Sequence, residues 1–173
     1  HPRVRRQRQM CIRDSINIIC LGKLKESFWR EAAAEYSKRI SAYAGFKITE
    51  LAESRLGDKP SQKEIERALD TEGNLILSCI PEKGCLNIAM CVEGRQLSSE
   101  ELADKISLAG VNGLGTVNFI IGSSYGLSES IKRMSERRLS ISKMTLPHQL
   151  ARVVLTEQIY RALSINANAK YHK

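Results

Sequence analysis

Three stretches in the last third of the chain hold residues whose types and spacing suit chemistry. Val117-Asn118-Phe119-Ile120-Ile121-Gly122 is a buried-strand run closed by a glycine, and a small-residue loop, Ser123-Ser124-Tyr125-Gly126, comes directly after it. Ser142-Lys143-Met144-Thr145-Leu146-Pro147-His148-Gln149 is a second loop, stopped by a proline, and the chain ends on Tyr171-His172-Lys173. A glycine at the carboxyl end of a parallel strand lets backbone approach a ligand with no Cβ in the way, and open α/β sheets bind ligands outside those ends. A phenol and an imidazole at the terminus add rings that can hold or take a proton. Taken alone, Gly-Ser-Ser-Tyr-Gly is equally a plain tight turn, because it is neither G-x-G-x-x-G nor a phosphate-cradling loop.

The elements that must position these loops alternate between strand and helix patterns, the signature of βαβ units and a parallel sheet. Residues 16–21 form a short apolar run ended by Gly22, and 26–43 carry Phe28, Ala32, Ala33, Tyr36, Ile40 and Tyr43 at helical spacing. Residues 46–51 alternate as a second strand, and 53–62, with Gly57 and Pro60, read as a mobile loop. A second helix spans 65–80 with Gly73 as a soft spot, and 86–92 is the third strand. Ser98 and Glu101 form a capping box that starts a helix over 99–109. Residues 116–122 are nearly all apolar, as in a central strand covered on both faces, and a second carboxyl edge follows at 139–143. Pro147 suits the first turn of a helix over 148–165, whose apolar surface exceeds what one sheet face covers and so suits a dimer contact.

Composition bounds the class. At 173 residues and 42% hydrophobic the chain is about one domain. It has no apolar run long enough to span a membrane and no signal-peptide pattern, and it reads as a cytoplasmic protein. Cys11, Cys20, Cys79, Cys85 and Cys91 lack the paired spacing of zinc or redox motifs and read as small buried hydrophobes, with no metal implied. Residues 1–14 differ from the rest of the chain, being rich in arginine and without period. They are read as a non-native leader, artefact or disordered, with a basic nucleic-acid arm as the alternative, and 15–173 are the domain. Residues 1–15 hold five of the 27 basic side chains and one of the 19 acidic ones, so the net charge of +8 falls to +4 without them. That balance is compatible with a phosphate-backbone partner.

Several segments together resemble the RlmH (YbeA) family: Gly22-Lys23-Leu24-Lys25-Glu26, Gln96-Leu97-Ser98-Ser99-Glu100, Phe119-Ile120-Ile121-Gly122, Gly126-Leu127-Ser128, residues 139–150, Glu157-Gln158-Ile159-Tyr160-Arg161-Ala162 and the terminal Tyr171-His172-Lys173. The resemblance covers about 15–173. It implies a SPOUT-type α/β fold with a parallel sheet and a C-terminal trefoil knot, active as a homodimer whose sites lie at the interface. It implies S-adenosyl-L-methionine as methyl donor and N3 of a pseudouridine in the helix 69 loop of large-subunit (23S) ribosomal RNA as acceptor, within assembled ribosomes.

Carried over residue by residue, the resemblance makes Met90, Gly122, Ile141, Ser142, Lys143, Met144, Thr145 and Leu146 the cofactor pocket. It makes Tyr171 and His172 the candidates for proton transfer and base recognition, with Arg152 placing a phosphate or steadying the deprotonated imide. The chain departs from the family pattern at Ser123, where a glycine is usual, at Cys91, where an acid is usual, and in the tail before Tyr171, which lacks the usual glycine or proline. Two other readings stay open: a SPOUT enzyme acting on another RNA such as transfer RNA, and a ribosome-binding relative without catalysis. A flavodoxin-like module would need a phosphate loop after the first strand, which Gly22-Lys23-Leu24-Lys25 is not.

Overall fold

The computed structural model describes residues 15–172, with the side chain of His172 and the whole of Lys173 outside the described set. The reading of 1–14 as a leader also lies outside it. The elements are β1 (Ser15–Leu21), α1 (Ser27–Ile40), β2 (Gly45–Leu51), α2 (Gln62–Ser78), β3 (Cys85–Gln96), α3 (Ser99–Val111), β4 (Thr116–Ile121), α4 (Glu129–Met134), β5 (Arg137–Ser140), α5 (His148–Asn166) and a 3-10 turn at Lys170–His172. The five strands form one sheet in the order β2-β1-β4-β3-β5, and every pairing is parallel.

Strand alternation assigns the faces. Ile16, Ile18, Cys20, Ile88 and Phe119 join one core with Ile40 of α1, Leu102 of α3, and Leu155 and Ile159 of α5. Ile19, Leu21, Ala89 and Ile120 join a smaller core with Ile76 of α2 and Ile131 of α4. The β1–β2 and β3–β4 crossovers run toward one edge of the sheet and the β2–β3 and β4–β5 crossovers toward the other, so a constant right-handed crossover puts their helices on opposite faces. Each fully buried isoleucine contributes about 1.5–3 kcal/mol by leaving water. Amid this apolar sheet Asn17 donates to Asn118 (2.9 Å) and Asn118 to Asn87 (2.9 Å), a side-chain ladder over three strands that satisfies a fully buried amide. A one-residue slip of any strand would break it, so it fixes register.

Helix starts obey local chemistry. Ser98 and Glu101 make the expected capping box, with the Glu101 amide donating to Ser98 Oγ (3.1 Å) and the Ser98 amide to Glu101 Oε2 (2.8 Å). Ser61 and Glu64 make a second one, at the end of the stretch expected to be a mobile loop. That segment is anchored at both ends, since the Ser54 amide also donates to Glu72 of α2 (2.8 Å). The short helix α4, capped by Ser128, is a further addition to the expected elements; six residues are too few to show a period. Cys20 and Cys85 are buried as expected, whereas Cys79 and Cys91 are only half-buried and Cys11 lies outside the described residues.

The third strand runs four residues beyond its expected end. Met90 and Arg95 both pair with Leu139 of β5, and the residues between them bulge out and return. Gly94 makes this possible: a Cβ there would sit 2.6 Å from the Leu139 carbonyl carbon, against the β5 backbone itself.

Candidate functional site

Register places the two loops side by side. Met90 pairs with Ile121 of β4 on one side and Leu139 of β5 on the other, so Met90, Gly122 and residues 141–146 stand at the carboxyl ends of three neighbouring strands. This is the edge where parallel sheets bind ligands.

The β4–α4 turn is closed on itself. The Gly126 amide donates to the Ser123 carbonyl (2.9 Å), and Gly126 adopts a φ of 85°. A Cβ on Gly122 would run into the Gly126 carbonyl, so only glycine fits there. Ser123 donates to the buried carboxylate of Glu72 (2.9 Å), whose other oxygen accepts the Ser54 amide. Among the described residues Asn168 is the sole non-glycine at positive φ, so serine at position 123 strains nothing. Gly73, next to Glu72, explains itself the same way: a Cβ would lie 2.8 Å from Ser128 Oγ, and glycine lets α2 approach the start of α4.

The β5–α5 segment is built differently. Ser140 Oγ donates to the Ser142 carbonyl (2.7 Å), and Ser142 Oγ accepts the Met144 amide (3.0 Å). Beyond these, the main chain of Lys143, Thr145 and Leu146 forms no hydrogen bond among the described residues. Lys143, Met144 and Thr145 are exposed, Met144 at 76%. Ile141 and Met90 pack partly against the larger core and supply apolar walls. Free peptide groups beside apolar side chains fit a ligand held by main-chain hydrogen bonds with a ring covered by aliphatic groups. Among the described residues there is no group of three or more His, Cys, Asp or Glu side chains able to hold a metal ion.

Arg152 departs from the phosphate-binding role. It is 1% exposed; its Nη1 is paired with Glu50 of β2 (2.8 Å) and its Nη2 donates to the Gly22 carbonyl (2.9 Å). A guanidinium sealed this way cannot meet a phosphate from solvent. It instead ties the first turn of α5 to the carboxyl ends of β1 and β2, helped by Gln149, which accepts the Lys25 amide (2.8 Å). Among the described residues the Nε of Arg152 has no partner. Burial pushes the neighbouring Cys20 thiol up to about 11, partly countered by Arg152, so that thiol is inert at neutral pH.

The tail lies elsewhere on the same helix. Asn168 takes a left-handed φ of 55°, and the Asn168 and Ala169 amides cap the Ile165 and Ser164 carbonyls, reversing the chain. Asparagine tolerates this conformation best after glycine, which is how the tail turns with neither glycine nor proline there. Tyr171 then packs on Tyr160 (ring centroids 4.5 Å apart) and under Arg161 (4.8 Å), and its hydroxyl donates to Glu157 (3.2 Å). Burial first, then Tyr36 and the Glu157 carboxylate, push its phenol up to about 12, so it is a donor at neutral pH and not a base. Glu157, which holds the Tyr171 hydroxyl, is nine residues beyond His148 along α5, about 13 Å at 1.5 Å per residue.

Sequence reading missed Glu72, Ser54 and Glu50, which hold this edge together. The one available signal was Gly73 inside a helical pattern, a mark of close approach.

An all-parallel sheet with its crevice between a glycine turn and a main-chain-rich loop is the arrangement of a methyltransferase of the SPOUT class, and residues 15–172 match the family described as "Predicted SPOUT methyltransferase". Two solved structures share the fold, a "probable methylase family protein" from Haemophilus influenzae (TM-score 0.52, 16% identity, 93% of this chain and 71% of that one) and a "Probable Methyltransferase" from Bordetella pertussis (TM-score 0.53, 15%, 88% and 98%). "Ribosomal RNA large subunit methyltransferase H" of Streptococcus uberis is 44% identical over 158 residues, covering 91% of this chain and 99% of that protein. The protein of the same name from Streptococcus pneumoniae is 42% identical over the same span. The chain belongs to the RlmH family of SPOUT methyltransferases.

Proposed function

We propose that this protein transfers a methyl group from S-adenosyl-L-methionine to N3 of a pseudouridine in the helix 69 loop of 23S ribosomal RNA, acting as a cytoplasmic homodimer on assembled ribosomes. The observation that carries the reading is the exposed, hydrogen-bond-poor segment 141–146 beside Met90 and Gly122, in a chain whose relatives over nearly their full length bear the name of a ribosomal RNA methyltransferase.

S-adenosyl-L-methionine supplies a methyl group already activated on its sulfonium. The protein's part is to hold the donor and align the base. Main-chain groups of Lys143, Thr145 and Leu146 would bind the donor's polar edges, with Ile141, Leu146 and Met90 covering its apolar parts. Gly122 keeps the floor of the crevice clear, and Ser142 shapes the loop by accepting the Met144 amide. Arg152 is a positioning residue that fixes α5 against Gly22.

Tyr171 and His172 enter from a second copy. Tyr171 is held by Glu157, about two and a half turns along α5 from the loop at its start, which supports a composite site completed by another protomer's carboxyl edge. In that composite site a protonated Tyr171 donates to the base, and His172 takes the N3 proton. The half-buried apolar flank of α5, with Leu150, Val153 and Val154, is the surface for pairing. The knotted course of the C-terminal segment is carried over from the family to which the chain belongs.

The test is transfer of labelled methyl from S-adenosyl-L-methionine to ribosomes that contain or lack the helix 69 pseudouridines. Label in large-subunit RNA that appears only with pseudouridine is expected. Label independent of pseudouridine would sink the assignment, and absence of donor binding would favour a non-catalytic relative. Deleting Tyr171 to Lys173 is expected to leave donor binding intact and abolish transfer; undiminished activity would remove the tail from the mechanism.

A further inference from the structure

A cleft of about 380 Å³ opens beside the edge strand β5. Its floor is apolar, from Ile88, Leu97 and Leu139, and its rim carries Arg95, Lys105, Arg137 and Arg138. These four cations come from the end of β3, from α3 and, as an adjacent pair, from β5, and the sequence gives no hint that the three segments meet.

The nearby carboxylates are largely engaged elsewhere: Glu93, which also feels Arg138, is paired with Lys132. Glu101 lies 3.5 Å from Arg95, but both side chains are largely exposed, so the pair is weak and yields readily. Glu136 is exposed, with one carboxylate oxygen accepting the Asn87 amide (2.8 Å). Asp104 is exposed next to Lys105 on α3. Main-chain carbonyls steady the arginines, with Arg137 Nη1 donating to Glu136 (3.1 Å) and Arg138 Nε to Lys132 (3.3 Å). Each leaves guanidinium N–H groups free for an anion. An enclosed small-molecule pocket is mostly apolar with a few polar groups, whereas here cations outnumber apolar residues around an open rim. That balance suits successive phosphates of a nucleic-acid strand, which are read by Arg and Lys without regard to sequence.

We propose that this cleft is a docking site for the phosphodiester backbone of the RNA substrate, separate from the crevice that holds the methyl donor. Arg95 pairs with Leu139 just past the bulge after Met90, so a strand seated in the cleft runs beside the donor crevice. The cleft thus fixes the register of the RNA while the loops at the carboxyl edge act on the base. The identity of the RNA rests on the function proposed above, but the cleft's preference for RNA phosphates does not.

The test is a K105Q/R137Q double variant, compared with the charge-keeping K105R/R137K, in titrations of large-subunit RNA over a range of salt. Loss of two phosphate contacts is expected to weaken binding about ten-fold or more and to flatten the slope of log affinity against log salt by about two. The KM for RNA rises accordingly while kcat, donor affinity and the melting temperature stay near those of the parent. The charge-keeping variant restores affinity and slope. Unchanged affinity and slope in K105Q/R137Q would overturn the proposal even if methyl transfer proceeds. Loss of adenosine monophosphate binding with RNA binding intact would also overturn it, in favour of a free nucleotide. RNA binding that tracks the cleft's charge, without methyl transfer to pseudouridine by the parent protein, would leave the cleft standing and refute the catalytic assignment.

Discussion

Two loops leave neighbouring strands at the same edge of the sheet, and they are built in opposite ways. The turn after β4 is finished within the protein: Gly122 has no room for a Cβ, Ser123 is tied to buried Glu72, and the Gly126 amide closes the turn. The segment after β5 is left open, with exposed side chains and main-chain groups that nothing in the described chain uses. Backbone groups are satisfied somewhere in a working protein. The first loop meets that demand internally; the second leaves its groups to solvent or, in the function proposed above, to the methyl donor.

Breaking the closed loop has the largest expected effect. Gly122→Ala drives a methyl into the Gly126 carbonyl, so the turn must open, with a loss of about 3 kcal/mol or more in denaturant titration and loss of donor binding. Retention of both would show that the turn relaxes freely. Arg152→Met comes next. It leaves Glu50 and the Gly22 carbonyl without their donor, and since Glu50 is itself a third exposed the loss is about 2–3 kcal/mol, seen as a lower melting temperature. Glu72→Ala strands the Ser123 hydroxyl and the Ser54 amide, for about 1–3 kcal/mol. Glu72→Gln keeps an acceptor and is expected to recover most of it; equal losses would assign the effect to packing.

The open loop sharpens the comparison from the other side. Lys143→Ala and Met144→Ala are expected to change stability by less than about 0.5 kcal/mol, because neither side chain is buried. Calorimetric donor titration is expected to stay near the parent for Lys143→Ala if the main chain does the binding, and a strong loss would shift recognition to the side chain. Smallest is an effect on titration alone: Tyr171 should ionise near 12 in ultraviolet absorbance, and Glu157→Gln should lower that value by removing a neighbouring negative charge. The folded phenol holds its proton more tightly than an unfolded one, so any stability it adds is present below about 10 and is lost as pH rises through about 12.

The legible parts of this protein are those governed by near neighbours in sequence. Strands 16–21, 46–51 and 116–122 were readable from unbroken or alternating apolar residues, and the Ser98–Glu101 box from two residues three apart. The specific run 139–150 and the terminal Tyr171-His172-Lys173 identified the family, and with it the loop at the edge. Helix α4 was too short to announce itself, and the extension of β3 past Met90 depends on β5 being there to pair with.

Sequence by itself therefore determined the class of fold, the alternation of its longer elements and the two loops at the carboxyl edge, since periodicity and turn chemistry are local. Only the tertiary structure decided what each side chain does there. It turned Arg152 from a candidate anion contact into a buried strut, because its partners Glu50 and Gly22 come from distant strands. It revealed Glu72 as the anchor of the glycine turn and drew four scattered cations to one cleft. Such roles arise from partners brought together across the sheet, and no spacing along the chain encodes them.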